Sequence, residues 1–461
     1  MSRPDGSWAD VLADGRMPRF ILICLGVWLG AADSMVTATI MPSVGAELGG
    51  YAYFGWATAG YLLGSVMAGA SSGVLAMRLG LRHATALGAL AYGAGCVLSA
   101  VGPDMQSFLI GRVLQGIGGG WVAGFSSVAI GLLFPDRLLP RVYAAITAVW
   151  GVASLLGPLI GGIFADLGIW RWVFWFFAIQ AAGVAWAGWA LLPDKAPDEA
   201  PMPIAWLQLG LIGLGISAIG LADLGGSPMV TVGLIALGLG LLLAVVVVDE
   251  RSTARLFPRG TGNLRSVAGA GYATMFLLTA ASMGYSIYGP AILQQLAGLS
   301  ALEAGYVIAV EAVAWTACGL LVAHLIGKWP GRLIRLGAVA ALVGVGVSGL
   351  VFPEGSVVGA IVAGIALGGG FGLFWAFLSQ RTLAALSPED RAIGAAGMST
   401  MRMTGSAAGA AIAGAAANIT GFAAGLSDTT AASAGLWVFV AALPFALLGV
   451  VTVWRAGKPE V

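Results

Sequence analysis

An all-helical integral membrane fold, two six-helix bundles plus two extra transmembrane helices, is predicted by three features of this 461-residue chain. The sequence is 59% hydrophobic and 9% charged, too apolar for a soluble globule. Its apolar residues fall into fourteen long runs, and its Lys and Arg collect in every second gap between them. Cytoplasmic loops carry the positive charge, so both termini are expected on the cytoplasmic side.

The runs cover 18–42, 51–76, 84–102, 105–133, 141–165, 171–193, 204–224, 228–248, 266–294, 302–327, 333–352, 356–379, 392–417 and 430–454. Each has the ~17–25 or more residues that a helix needs to cross about 30 Å of hydrocarbon. None alternates with a period of two, which a membrane barrel strand would require. The first run is too long for a signal-peptide core and has no small-residue cleavage site, so it is expected to be the first membrane helix. The even gaps hold Arg78 and Arg82, Arg137 and Arg141, Lys195, Arg251 to Arg265, Lys328 to Arg335, and Arg381 and Arg391. Arg3, Arg16, Arg19, Arg455 and Lys458 extend the same set to the tails. The odd gaps hold almost nothing basic apart from Arg171. An even number of crossings is needed to bring both tails to one side, so run count and charge map agree.

Two polar connections, Asp194–Pro203 and Asp249–Arg265, divide the runs into blocks of six, two and six. The expected organisation is a first bundle over 1–193, a linker with two accessory helices over 194–265, and a second bundle over 266–461. Equal blocks around a separable insert are what a repeated transporter fold requires, with its substrate site between the halves. The inserted pair has no charge near its middle, and Asp223 lies near an end, so the pair is expected to face lipid. A net charge of +1 gives no footprint for nucleic acid. Cys24, Cys96 and Cys318 sit singly in separate runs, a spacing that fits packing rather than metal or disulfide chemistry. No nucleophile with its base, ligand cluster or phosphate loop is visible, so no enzyme activity and no cofactor are expected.

The chemistry is expected at ionisable groups inside the hydrocarbon, each of which is costly unless paired or hydrated. Asp33 lies roughly 14 Å and Arg112 roughly 10 Å from the outer ends of their helices, at about 1.5 Å per residue. Those depths allow the two to pair. Glu311 and Arg402 fall near the midplane of the tenth and thirteenth runs. The bland reading of such a group is an ion pair that fixes helix rotation. The functional one is a carboxylate whose affinity for a proton changes between a hydrated cavity and a dry or Arg-paired site. Glycines Gly111, Gly116, Gly118, Gly119, Gly120 and Gly124 in the fourth run suit close helix approach. Gly157, Pro158, Gly161 and Gly162 place a helix-bending proline in the middle of the fifth.

Several of these stretches resemble one family. GVASLLGPLIGG at 151–162 is similar to the antiporter motif of helix 5 in major facilitator superfamily drug exporters, and RVLQGIGGG at 112–120 to the helix 4 motif of that superfamily. Asp33 followed by Pro42 resembles the helix 1 signature of its fourteen-helix drug:proton antiporters, with Ala38 where that signature has Asn. Trp56, Tyr61 and Leu63, the step Trp170-Arg171-Trp172, and the stretches 288–305 and 381–409 continue the likeness. GVLAMRLGLR at 73–82 matches the family loop at Gly73, Leu75, Arg78, Gly80 and Arg82, but Met77 replaces its Asp. The loop around His324 to Arg332 is degenerate as well.

The resemblance implies a proton-coupled exporter of lipophilic or amphipathic compounds, cationic ones among them, in a bacterial inner membrane, working as a monomer on the proton gradient alone. Asp33, Arg112, Glu311 and Arg402 would serve proton coupling. Helices 1, 4, 9 and 12 would line the substrate cavity through Thr37, Gln115, Tyr285, Tyr288, Gln294, Phe374 and Trp375. Gly157, Pro158, Gly161, Gly162, Arg78 and Arg82 would serve gating, with the Asp-based lock weakened by Met77. A lipid, siderophore or metabolite transporter on the same scaffold, importing or exporting, is the alternative.

Overall fold

The computed structural model describes residues 8–194, 203–222 and 227–456; Arg3, Lys195, Asp223 and Lys458 of the charge map lie outside them. Within the described residues the chain is helical throughout, with no strand. The helices are α1 (Trp8–Leu12), α2 (Met17–Leu48), α3 (Trp56–Val101), α4 (Met105–Leu133), α5 (Leu139–Asp166), α6 (Arg171–Leu191), α7 (Trp206–Leu221), α8 (Pro228–Arg251), α9 (Val267–Ala297), α10 (Ala301–Val322), α11 (Trp329–Val351), α12 (Val357–Ala384), α13 (Arg391–Ile419) and α14 (Asp428–Ala456). Eleven helices among the described residues are long and apolar enough to cross a membrane. The fourteen sequence runs differ from this count in three places. The second and third runs form the single helix α3, broken only at Gly80, whose φ of 74° and ψ of 154° are non-helical. Helix α7 has 16 residues, about 24 Å at 1.5 Å per residue. Helix α13, rich in Ala, Gly, Ser and Thr, is not among the eleven.

Contacts divide the chain into two compact units, Met1–Thr37 with Gly64–Ile204, and Ala38–Leu63 with Ala205–Val461. In the first unit, α4 runs between the two arms of α3. A Cβ on Gly118 would strike the Tyr92 backbone and, at 2.7 Å, the Gly88 carbonyl, while one on Gly120 would strike the Ser65 backbone. Gly111 meets the hydroxyl and the backbone nitrogen of Ser99, and Gly124 meets the Ser72 side chain. At Gly118 and Gly120 the contact is backbone against backbone, as small residues permit in membrane helices.

Helix α5 continues through Pro158. Its motif residues Ala153 and Ser154, Gly157 and Pro158, and Gly161 and Gly162 are all buried, a spacing of four that makes one helix face. That face rests on α2, where a Cβ on Gly157 would come within 2.5 Å of Met35 Cβ and 3.6 Å of the Ala32 carbonyl. Arg171, the basic exception in the odd gaps, donates from Nη1 to the carbonyls of Ala100 and Gly102, both at 2.8 Å, and stacks on Trp170. It neutralises the carbonyl end of α3, where a cation is favoured. Across the next connection, Asp104 caps α4: its carboxylate accepts the Ser107 N–H at 2.8 Å, which holds this exposed carboxyl below its ordinary pKa.

In the second unit, the accessory pair α7–α8 is joined to its neighbours rather than left in lipid on all sides. Gly215 and Gly238 let the two helices touch, and α7 also packs on α13. Asp249, 2% exposed, accepts the N–H groups of Leu256 and Phe257 at 2.7 and 2.9 Å and Gln208 Nε2 at 3.1 Å. This ties the end of α8 to α7 and to the following loop, where Arg255 pairs with Asp390 at 3.2 Å. The α2–α3 turn, within Ala38–Leu63, packs in this unit too. Phe54 and Tyr288 lie in a ring cluster with Tyr51 and Phe422, and Asn418 Nδ2 donates to the Ala52 carbonyl at 2.6 Å.

Candidate functional site

The first unit brings three of the expected residues together. Asp33 on α2 is 1% exposed, and Arg112 Nη1 of α4 lies 2.8 Å from both of its carboxylate oxygens. Gln115, three residues after Arg112 and so on the same face of α4, donates from Nε2 to Asp33 Oδ1 at 3.3 Å. Its Oε1 accepts from Arg112 Nη1 at 3.1 Å and from Ser99 Oγ at 3.3 Å. Cys96 Sγ takes a second bond from Gln115 Nε2 at 3.0 Å. Gln115 therefore belongs to the charge cluster, in addition to any role toward a substrate. The approach of α4 to α3 at Gly111 is what sets Ser99 and Cys96 within reach. Charge-assisted bonds of this length are the strong kind, and burial makes an unpaired member costly. Thr37, one turn after Asp33, is 2% exposed and its hydroxyl has no hydrogen-bond partner.

In the second unit, Glu311 on α10 accepts from Ser286 Oγ of α9 at 3.0 Å. Arg402 on α13 is half-buried and has no carboxylate within ion-pair distance among the described residues. Tyr285 is buried and directs its hydroxyl to the Ala360 carbonyl at 3.0 Å, a bond that ties α9 to α12. Tyr288 is fully buried in the ring cluster around Phe54. The Nε2 of Gln294 is buried without a hydrogen-bond partner. Phe374 is buried beside the half-exposed Trp375. Trp315 of α10 completes that group, 5.7 Å from Trp375, and was not among the expected residues. Its position four residues after Glu311 was the available signal.

Of the residues expected to serve gating, Gly157, Pro158, Gly161 and Gly162 lie on the α5 face described above. Arg82 donates from Nε to the Leu192 carbonyl at 3.2 Å and lies over the Trp189 ring. Arg78 is exposed and pairs with no carboxylate among the described residues. Met77 stands where the family has an acid, and beside this bend Asp194 lies 3.2 Å from His83 Nδ1 and against Gly80.

Eleven long apolar helices, and an ion pair buried among them, define a multi-pass membrane protein. Residues 23–410 match the Major Facilitator Superfamily, and the chain belongs to that family. It is 31% identical over 429 residues to a protein of Mycobacterium tuberculosis named as a probable multidrug-efflux transporter, covering 90% of each chain. To a multidrug efflux pump of Staphylococcus aureus it is 23% identical over 321 residues, covering 68% of this chain and 71% of that one. Among solved structures, a bacterial homologue of the human lysosomal transporter Spinster, in an inward-facing and unoccupied conformation, superposes with a TM-score of 0.69 at 16% identity, covering 96% of this chain and 97% of that one. A D-xylose–proton symporter gives a TM-score of 0.64, also at 16% identity, covering 96% and 99%.

Proposed function

We propose that this chain is a proton-coupled exporter of lipophilic or amphipathic compounds, working by alternating access of two six-helix bundles, 1–193 and 266–461. The observation that carries the reading is the buried cluster of Asp33, Arg112 and Gln115. A carboxylate held by a guanidinium is the arrangement of the deprotonated state. Proton uptake by Asp33 removes the charge that holds Arg112, and the two helices are then free to adopt another spacing. Proton binding is in this way linked to helix position, which is what a secondary transporter requires. The names of the relatives support efflux of drug-like compounds, and the small-residue face of α5, set against α2 beside Asp33, supports an antiport role for that motif. Four ionisable groups within the helices argue against a retired transporter kept as a receptor or scaffold.

Everted membrane vesicles test the proposal. Adding a lipophilic dye to energised vesicles is expected to dissipate the pH gradient while the dye accumulates inside, and Asp33→Asn should abolish both signals with the protein still inserted. Undiminished gradient-driven accumulation in that variant would remove Asp33 from coupling. Accumulation only in right-side-out vesicles would reverse the direction.

A further inference from the structure

Tyr92, in the second arm of α3, is fully buried and joins three helices of the first unit. A Cβ on Gly118 would strike its backbone nitrogen and, at 2.5 Å, its Cα, so the root of the side chain is seated on α4. Its hydroxyl crosses to α2, where it donates to the Leu29 carbonyl at 3.2 Å. Leu29 lies one helical turn before Asp33. The same hydroxyl is also within hydrogen-bond reach of the Asp33 carboxylate. One phenol thus sits between a backbone carbonyl and the carboxylate to which coupling is assigned.

A tyrosine hydroxyl has one proton to give and two lone pairs with which to accept. The carboxylate form of Asp33 has stronger donors than this phenol: Arg112 Nη1, 2.8 Å from both oxygens, and Gln115 Nε2 at 3.3 Å. A proton on Asp33 reverses the need. The new O–H, 1% exposed with its residue, must find an acceptor inside the protein. Gln115 Oε1 already accepts from Arg112 Nη1 and Ser99 Oγ. Cys96 Sγ already takes Gln115 Nε2 and is a weak acceptor. Around α2, the α5 face from Ala153 to Gly162 carries no titratable side chain, and α6 reaches it at Trp28 through the neutral Gln180. Tyr92 Oη, with its own proton directed at Leu29, has the lone pair that the acid requires.

We infer that Tyr92 is the positioning residue for the proton-loaded state: the acid O–H of Asp33 donates to Tyr92 Oη, which in turn donates to the Leu29 carbonyl. The only covalent change is the new O–H bond on Asp33; the phenol keeps its proton. Asp33 thereby exchanges a charged partner on α4 for a neutral one on α3, and Arg112 is released without leaving a buried acid unpaired. The inference rests on the reading that Asp33 takes up the proton, and deepens it by naming the group that holds the acid form.

The test is a pH titration of the purified full chain by infrared difference spectroscopy, with no gradient and no substrate. The carboxylic-acid band of Asp33 is identified by its loss in Asp33→Asn. Tyr92→Phe keeps the ring and removes only the hydroxyl, so the acid form loses its acceptor. The midpoint of the Asp33 band is then expected to fall by about 0.4–1 pH units, the worth of one hydrogen bond. The pH profile of export should move in the same direction. In the parent, labelled with ring-deuterated tyrosine, a tyrosine C–O band is expected to shift with the same midpoint as the Asp33 band; this check stands even if Tyr92→Phe does not fold. A phenol that merely braces the helices would lower thermal stability and leave the midpoint where it was. An unchanged midpoint, a raised one, or no co-titrating tyrosine band would each overturn the inference and leave Asp33 in coupling. If no Asp33 band titrates in the parent, the coupling reading itself falls and takes the inference with it.

Discussion

Replacing Arg112 by Met tests whether the charge cluster is machinery or merely a brace. The substitution leaves the Asp33 carboxylate, 1% exposed, without the nitrogen 2.8 Å from both of its oxygens. Removing one partner of a buried pair costs about 3–5 kcal/mol. Gln115 Nε2 remains as a donor 3.3 Å from Oδ1, which places the expected loss at the lower end, about 3 kcal/mol or roughly 150-fold in the folding equilibrium. Adding Asp33→Asn removes the stranded charge, and replacement of a whole buried pair is often close to neutral. The double variant should therefore regain most of the thermal stability lost by Arg112→Met. It should not regain transport, because no protonatable group is left at the site. Thermal unfolding in detergent and gradient-driven uptake into proteoliposomes measure the two quantities on the same preparations. Parental transport by the double variant would show the pair to be a brace alone. A single variant as stable as the parent would show that the pair contributes nothing to the folded state.

Gly157→Ala should push α5 away from Met35 beside Asp33 and lower coupled transport severalfold, whereas Gly151→Ala, with nothing within 4 Å of its added methyl, should transport normally; equal activities in proteoliposomes would refute the role given to this face. Gly118→Ala should collapse the monodisperse yield in size-exclusion chromatography, because its neighbours Tyr92 and Gly88 are met through backbone atoms that cannot turn aside, while Gly131→Ala should purify like the parent. Asp104→Ala should lower the unfolding temperature near neutral pH. The Asp104 carboxyl is held below its ordinary value in the folded chain, so its contribution is present above the unfolded pKa of about 3.9 and is lost as pH falls through the lower folded value. The gap between variant and parent should close below about pH 4; a gap that is constant with pH would mean that the cap acts without its charge.

Much of this architecture was legible because apolar runs and basic gaps repeat over the whole chain, and depth along a helix follows from counting residues. That arithmetic placed Asp33 and Arg112 at compatible depths, and they pair. Arg171 looked like a flaw in the charge map, since its role as a cap depends on carbonyls 69 and 71 residues earlier that only the packed α3 supplies. Asp249 was hidden for the same reason: its partner Gln208 is 41 residues away. Helix rotation was also out of reach. Tyr285 and Tyr288 were both expected to line a cavity, but nearly every face of α9 is buried, so residue type could not say which would be open to a solute. Trp315 escaped notice because sixteen tryptophans make any single one look like a lipid anchor; beyond its spacing from Glu311, its ring contacts on α12 set it apart.

At Gly118 and Gly120, α4 is clamped between the arms of α3 with no side chain there to act as a bearing. At those two positions neither helix can turn without forcing backbone into backbone, which fixes the rotation of α4 and with it the face that carries Arg112.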